Sequence, residues 1–351
     1  MKFRIFLVVV SCALSVLTGL VISRRGEMGA SVKDRRAPLI GLSMDTLKEE
    51  RWQHDRAVFE KAAKDLGAEI LVQSANSDDT RQISDVQALI SRRVDVLVIV
   101  PHNAAAMAKA VDMAHDAGIP VLSYDRLITD SDLDLYMTFD NVKVGELQAQ
   151  FLIDHLPKGK KRIVRIYGSK TDNNAVLFKK GQDNVLGPLI EKGEIVVVHE
   201  DWTQDWRPEN AKKIANAAIT KVGHDFAAIL ASNDGTAGGA IQALIEENLA
   251  GKILVTGQDA ELSACQRIVN GTQAMTIYKP VSQLAQQSAE AAVKMAKGKS
   301  IFALSRINNG KIDVPTILLD VVVVTKANMM DTVVKDRFHS ANEVYGATAP
   351  Q

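Results

Sequence analysis

The chain has 351 residues, 46% hydrophobic and 24% charged, an ordinary globular composition with length enough for two domains. Its 42 basic and 42 acidic residues cancel, which argues against a nucleic-acid partner, since that calls for a basic face. Of two cysteines, Cys12 falls in an N-terminal apolar run, so the folded part keeps one thiol, Cys265, and no internal disulfide. No Cys/His cluster has metal-ligand spacing, and no cofactor is expected.

"MKFR" is a short basic start, and the run to Ser23 carries no charge until Arg24 and Arg25 stop it. Residues 1–23 read as an export signal, with a weak small-residue cleavage site at Val21-Ile22-Ser23. About 20 apolar residues can also span a bilayer, so an anchor through residues 5–23 is the alternative. A cleaved signal is the favoured reading, with a periplasmic or otherwise extracytoplasmic location. Residues 24–37 form a polar linker.

From Pro38 strands and helices alternate. "PLIGLSM" predicts a strand, and "RWQHDRAVFEKAAKDLG" a helix with Ala57, Phe59, Ala62, Ala63 and Leu66 on one face. "AEILVQSA", "VDVLVIVP" and "IPVLSYD" are strands, separated by helices at "RQISDVQALISRR" and "AAAMAKAVDMAHDAG". Strands apolar on both faces, with helices between, imply a parallel sheet covered on both sides. The rhythm repeats. Helices at "NVKVGELQAQFLIDHLP", "NAVLFKKGQDNVLGPLIEKG", "RPENAKKIANAAIT" and "GTAGGAIQALIEENLAG" alternate with strands at "KRIVRIYGS", "EIVVVHED", "FAAILASND" and "KILVTGQDA". "QAMTIYKP", the helix "VSQLAQQSAEAAVKMAKG" and one late strand, "TILLDVVVVT", complete either half.

Ligands of open α/β sheets bind beyond the carboxyl ends of the strands. There the sequence offers Arg51 and Trp52, Asp125 and Arg126, Asp172 and Asn174, Trp202 and Trp206, Asn233 and Asp234, Gln258 and Asp259, and Lys279. These types suit a sugar. Carboxylates accept from hydroxyls, Arg and Lys donate, Asn does both, and an indole covers a ring face. An Asp or Asn after a strand is commonly only a helix cap, and Trp52 and Trp202 could equally be core packing. Caps do not explain Arg51, Arg126 and Lys279. Asp172 and Asp234 are expected to orient neighbours. "GTAGGA" lacks phosphate-loop spacing and reads as close helix packing. No GxSxG, HExxH or nucleophilic Cys supports an enzyme, and the histidines nearest these strand ends are His54 and His199.

"ERWQHDR", "YDRLI", "DNNAVLF", "ASNDGTAGGAIQAL", "GQDAEL" and "GTQAMTIYKP" resemble the D-xylose-binding proteins of bacterial ABC importers, within the ribose/galactose-type periplasmic binding proteins. The resemblance runs from about Pro38 to His339, and "SKTDNN" departs from the usual Gly-Ser-rich turn. It implies an α/β fold, the type I periplasmic binding protein, with two Rossmann-like three-layer domains joined by a three-segment hinge. The lobes are expected at 38–142 plus 280–312 and at 143–279 plus 313–345. Carried over, Arg51, Asp125 and Arg126 bind the sugar from the first lobe, with Trp52 stacking and with Asp125 and Arg126 compensating one another. Asn174, Trp206, Asn233 and Asp259 bind from the second lobe, and Lys279 from the hinge. The implied partner is an ABC permease. A membrane-tethered xylose sensor working with a histidine kinase is the alternative.

Overall fold

The computed structural model describes residues 37–346. The first half follows the predicted alternation: β1 (Leu39–Met44), α1 (Glu50–Asp65), β2 (Glu69–Ser74), α2 (Asp79–Ser91), β3 (Val96–Ile99), α3 (Ala108–Asp116) and β4 (Val121–Tyr124). Every residue of β3 and β4 is buried, as strands covered on both faces require. A further strand, β5 (Leu135–Phe139), was not predicted. Its apolar signal is five residues long and follows the acid-rich stretch "DSDLD".

The second half gives α4 (Asn141–His155), β6 (Arg162–Tyr167), α5 (Asn173–Glu191), β7 (Val196–Trp202), α6 (Pro208–Val222), β8 (Ala228–Ala231), α7 (Asp234–Glu246), β9 (Leu254–Val255), α8 (Leu262–Asn270) and β10 (Thr276–Tyr278). Then come α9 (Val281–Ala296), β11 (Ser305–Asn308), β12 (Asp313–Leu319), β13 (Val322–Val324) and α10 (Ala341–Tyr345). Pro208 opens α6 where its missing N–H costs nothing.

One sheet has the order β11-β12-β5-β4-β3-β1-β2 and is parallel except at the β11 edge. The other is β7-β6-β8-β9. It continues into β10, because Ala274 N–H donates to Val255 O (2.9 Å) and Ile277 N–H to Gly257 O (3.2 Å). β13 pairs antiparallel with β10. The two sheets therefore match strand for strand, β2-β1-β3-β4-β5 answering to β7-β6-β8-β9-β10.

The chain crosses between lobes after β5, after β10 and after β12. α4 belongs to the second lobe, since its Gln148 Nε2 donates to Ser232 O (3.0 Å) and Gly257 O (3.1 Å). α9 belongs to the first, where Val281, Leu284 and Ala285 share a core with Ile40, Leu42 and Phe59. The last crossing corrects the expected boundary. Thr316–Leu319 pair with Tyr136–Phe139 in the first sheet, whereas Val322–Val324 pair with Thr276–Tyr278 in the second. "TILLDVVVVT" is thus two strands in different lobes, and residues 313–319 belong to the first. An unbroken apolar run says nothing about which sheet receives it, and only the exposed Asp320 marks the break.

"GTAGGA" packs closely, as read: a Cβ on Gly239 would lie 2.0 Å from Pro208 O at the start of α6. No helix among the described residues is long and apolar enough to cross a membrane. The signal or anchor at residues 1–23 and most of the linker lie outside the described residues.

Candidate ligand-binding site

Arg51, Trp52, Asp125, Arg126, Asn174, Trp206, Asn233, Asp259 and Lys279 line one cavity between the lobes. Asp172 lines it as well, while Asp234 stands behind it. Asp234 accepts from Gln273 Nε2 (2.7 Å), Thr276 Oγ1 (2.8 Å) and Glu261 N–H (3.1 Å). Capping and cavity lining coincide in two residues. Asp172 accepts from Asn174 N–H at the start of α5, and Asn233 forms a capping box with Thr236 at the start of α7. Glu49, Phe178 and Gln258 also line the cavity. Phe178 follows Asn174 by one helical turn, a spacing that could have revealed it. Glu49 immediately precedes α1, where its side chain makes no capping bond, and Gln258 is one of the strand-end groups that the sequence offers.

The backbone at the site is bent into uncommon conformations. Asp125 has φ +61°, Trp206 φ +57° and Asp259 φ +94°. Such residues cost of order 1–3 kcal/mol and persist only where the surroundings hold them. Asp125 N–H donates to Met137 O (2.8 Å) on β5, and Asp259 N–H to Ile277 O (2.8 Å) on β10. Each aspartate is thereby turned off its strand into the cleft.

Charge is paired, though not as expected. Asp125 and Arg126 do not pair with one another. Asp125 meets Arg51 Nη2 at 3.0 Å, and Arg126 meets Asp45 at 2.7 Å and Asp172 at 2.8 Å. Adjacent side chains at a strand end diverge, so each finds a partner on another element. Arg51 also reaches Asp259 at 3.3 Å and Asp55 at 3.4 Å. Both arginines therefore bridge the lobes. Burial pushes the Asp125 carboxyl up, but Arg51, then Lys279 and Arg126, outweigh it and hold it below the usual carboxylate range. For Asp172 burial prevails over Arg126, and its carboxyl titrates above that range. Asp55 is pushed up to about 6 by burial, against Arg51 and a hydrogen bond from Tyr124. Lys279, 1% exposed, is lowered by burial despite Asp125 and Asp259. Its ammonium lies 3.8 Å from Asp259 and 5.2 Å from the Phe178 ring centre.

Trp52 is buried beside both guanidinium groups, with Arg51 Cζ 4.1 Å and Arg126 Cζ 5.1 Å from its ring centre. Trp206 donates from Nε1 to Asp172 (3.1 Å). Its ring lies against Gly168, where a Cβ would come within 1.9 Å of Cη2. Trp202 stays outside the cavity and packs on Tyr167, ring centres 4.9 Å apart. Asn174 ties the lobes, its Nδ2 donating to Asp125 O (3.1 Å) and Oδ2 (3.2 Å). The histidine nearest this network is His102, not His54 or His199. Its Nδ1 is 2.9 Å from Asp45 and its Nε2 3.9 Å from Asp205 of the other lobe. His54 instead bonds Ser282 (2.8 Å).

A family model described as the periplasmic binding protein domain matches residues 40–300. The chain is 49% identical to the D-xylose-binding periplasmic protein of Haemophilus influenzae, over 87% of this chain and 92% of that one. It is 46% identical to the protein of the same name in Escherichia coli, over 94% and 98%. A carbohydrate transporter solute-binding protein from Chloroflexus aurantiacus, solved with D-glucose, superposes with a TM-score of 0.83 at 33% identity, covering 88% of this chain and 98% of that one.

Proposed function

The chain belongs to the periplasmic binding protein family, and from that premise we propose that it captures D-xylose between its lobes and delivers it to an ABC permease. The observation that carries this reading is the single cavity lined by carboxylates, cations, amides and two indoles from both lobes. Asp125 and Asp259 accept from hydroxyls, and Arg51, Arg126 and Lys279 donate. Asn174 and Asn233 do both, and Trp52 and Trp206 cover the ring faces. No catalytic step is required of any of them. The names of two relatives, each 46% identical or more over most of the chain, supply the pentose. The receptor works outside the cytoplasmic membrane, delivered by residues 1–23. The tethered-sensor alternative turns on that segment.

Xylose has about ten non-hydrogen atoms, so micromolar binding asks roughly −0.8 kcal/mol of each, which demands near-complete enclosure. One lobe cannot enclose a ring. Closure is therefore part of binding, driven by contacts made only in the shut form. Calorimetry against a panel of aldoses tests the ligand, with xylose expected tightest. Glucose carries an extra hydroxymethyl group between Trp52 and Trp206 and is expected to bind much more weakly. Small-angle scattering with and without xylose tests the motion. Equal affinity for glucose would sink the pentose assignment, and unchanged scattering at saturation would sink closure.

A further inference from the structure

Gln258 stands at the end of β9 with its side chain on the cavity wall and 2% exposed. Its Oε1 is buried and receives no hydrogen bond from the protein. The same holds for Glu49 Oε2 and Arg51 Nε, but Glu49 also borders the outer groove with Lys48 and Asp205, and Arg51 is already engaged through Nη1 and Nη2. Gln258 borders only the inner cavity. Its backbone is held in place. Its own carbonyl accepts from Asp234 N–H (2.9 Å), and the next residue is fixed by the bond from Asp259 N–H to Ile277 O (2.8 Å). A buried amide oxygen without a partner is costly, and one that also lines the cavity between the lobes is placed to take its partner from a ligand.

We propose that Gln258 is a specificity-determining residue of this site, its side-chain carbonyl accepting from one hydroxyl of the bound pentose. The inference rests on the sugar-binding reading above and deepens it. The aspartates around it, Asp125, Asp172 and Asp259, are each engaged with an arginine and accept from any hydroxyl within reach. Gln258 is neutral and singly placed, so it reads where a hydroxyl points without altering the charge balance. An epimer with that hydroxyl reversed leaves Oε1 buried and without a donor. A site built to bond a hydroxyl discriminates strongly against an analogue lacking it.

The test is a cycle of calorimetric titrations on the exported protein, wild type and Gln258→Met, with D-xylose and its 1-, 2-, 3- and 4-deoxy analogues. Gln258→Met keeps the length of the side chain and removes both polar atoms. It is expected to bind xylose about tenfold more weakly, the size of one neutral hydrogen bond. One analogue should bind both proteins equally, because the hydroxyl that Gln258 reads is already gone. Wild-type affinity of the variant for xylose overturns the proposal. So does the same fractional loss for every analogue, which would mark a structural role. Gln258→Asn, which withdraws the amide by one methylene, carries the same cycle if the Met variant fails to fold. A wild type that binds no aldose of the panel overturns the sugar reading itself and the role of Gln258 with it.

Discussion

Asp125 and Asp259 occupy equivalent places in the two lobes. Each follows the fourth strand of its series, each has a positive φ, and each is pinned by a backbone bond to the fifth strand. Their partners differ. Asp125 finds Arg51 within its own lobe, and Arg126 finds Asp45 there too. The second lobe brings Asp172 and Asp259, whose guanidinium partners come from across the cleft. The first lobe thus carries charge that it balances itself, and the second carries anions that its own Lys279, 3.8 Å from Asp259, balances only in part. The same backbone device serves a self-sufficient half-site on one side and a dependent one on the other. Closure is where the dependent side gains its guanidinium partners.

The harshest way to break this asymmetry is to remove a bridge. Arg51→Ala strips a partner from both aspartates at once, and Arg126→Ala does so for Asp45 and Asp172. Removing one partner of a buried pair costs about 3–5 kcal/mol, so calorimetry should register loss of measurable xylose binding for each variant. Binding within a factor of two of wild type would misplace the site. Asp259→Asn is gentler and sharper. It removes a carboxylate only from the dependent lobe, at a cost of about 1.5–3 kcal/mol in affinity. Stability of the unliganded protein to urea should hardly change, whereas Asp125→Asn should lower both. Gly168→Ala drives a methyl into the Trp206 ring, an overpacking worth about 1–3 kcal/mol, visible as weakened affinity and altered Trp fluorescence.

The smallest effect concerns pH. Burial lowers the His102 imidazole, but its bond to Asp45 outweighs this and raises it above its ordinary 6.5. A raised histidine contributes stability that is complete below the unfolded value and is lost as pH rises through the folded one. Because Asp205 faces it from the other lobe, xylose affinity should fall slightly as pH rises above 6.5. The change should stay under about 1 kcal/mol, and His102→Gln should flatten it in titrations across that range.

Most of the site was legible because its chemistry is local to strand ends. Asp125, Asn233 and Asp259 each follow an apolar run, and the strand alternation says where those runs end, while Arg51 opens the helix after the first of them. The pairing was not legible. Which carboxylate Arg126 meets depends on side-chain direction and on the second lobe, neither of which the spacing "DR" encodes. His102 escaped notice for the same reason, since its partner Asp45 ends a different strand. In the fold, β5 and the split of "TILLDVVVVT" were hidden because short apolar strands look alike whichever sheet receives them. Phe178 lies on a helix and Glu49 immediately before one, away from the strand ends where the sequence signal is concentrated.

The three crossings carry one more consequence, for the order in which the molecule is made. The first lobe's sheet needs β12, and its face needs α9, yet both follow β10 in the chain. On the ribosome the first lobe stays unfinished until Leu319 has emerged, by which time nearly all of the second lobe has been synthesised. Its closing contacts are therefore among the most distant in sequence, which slows its folding.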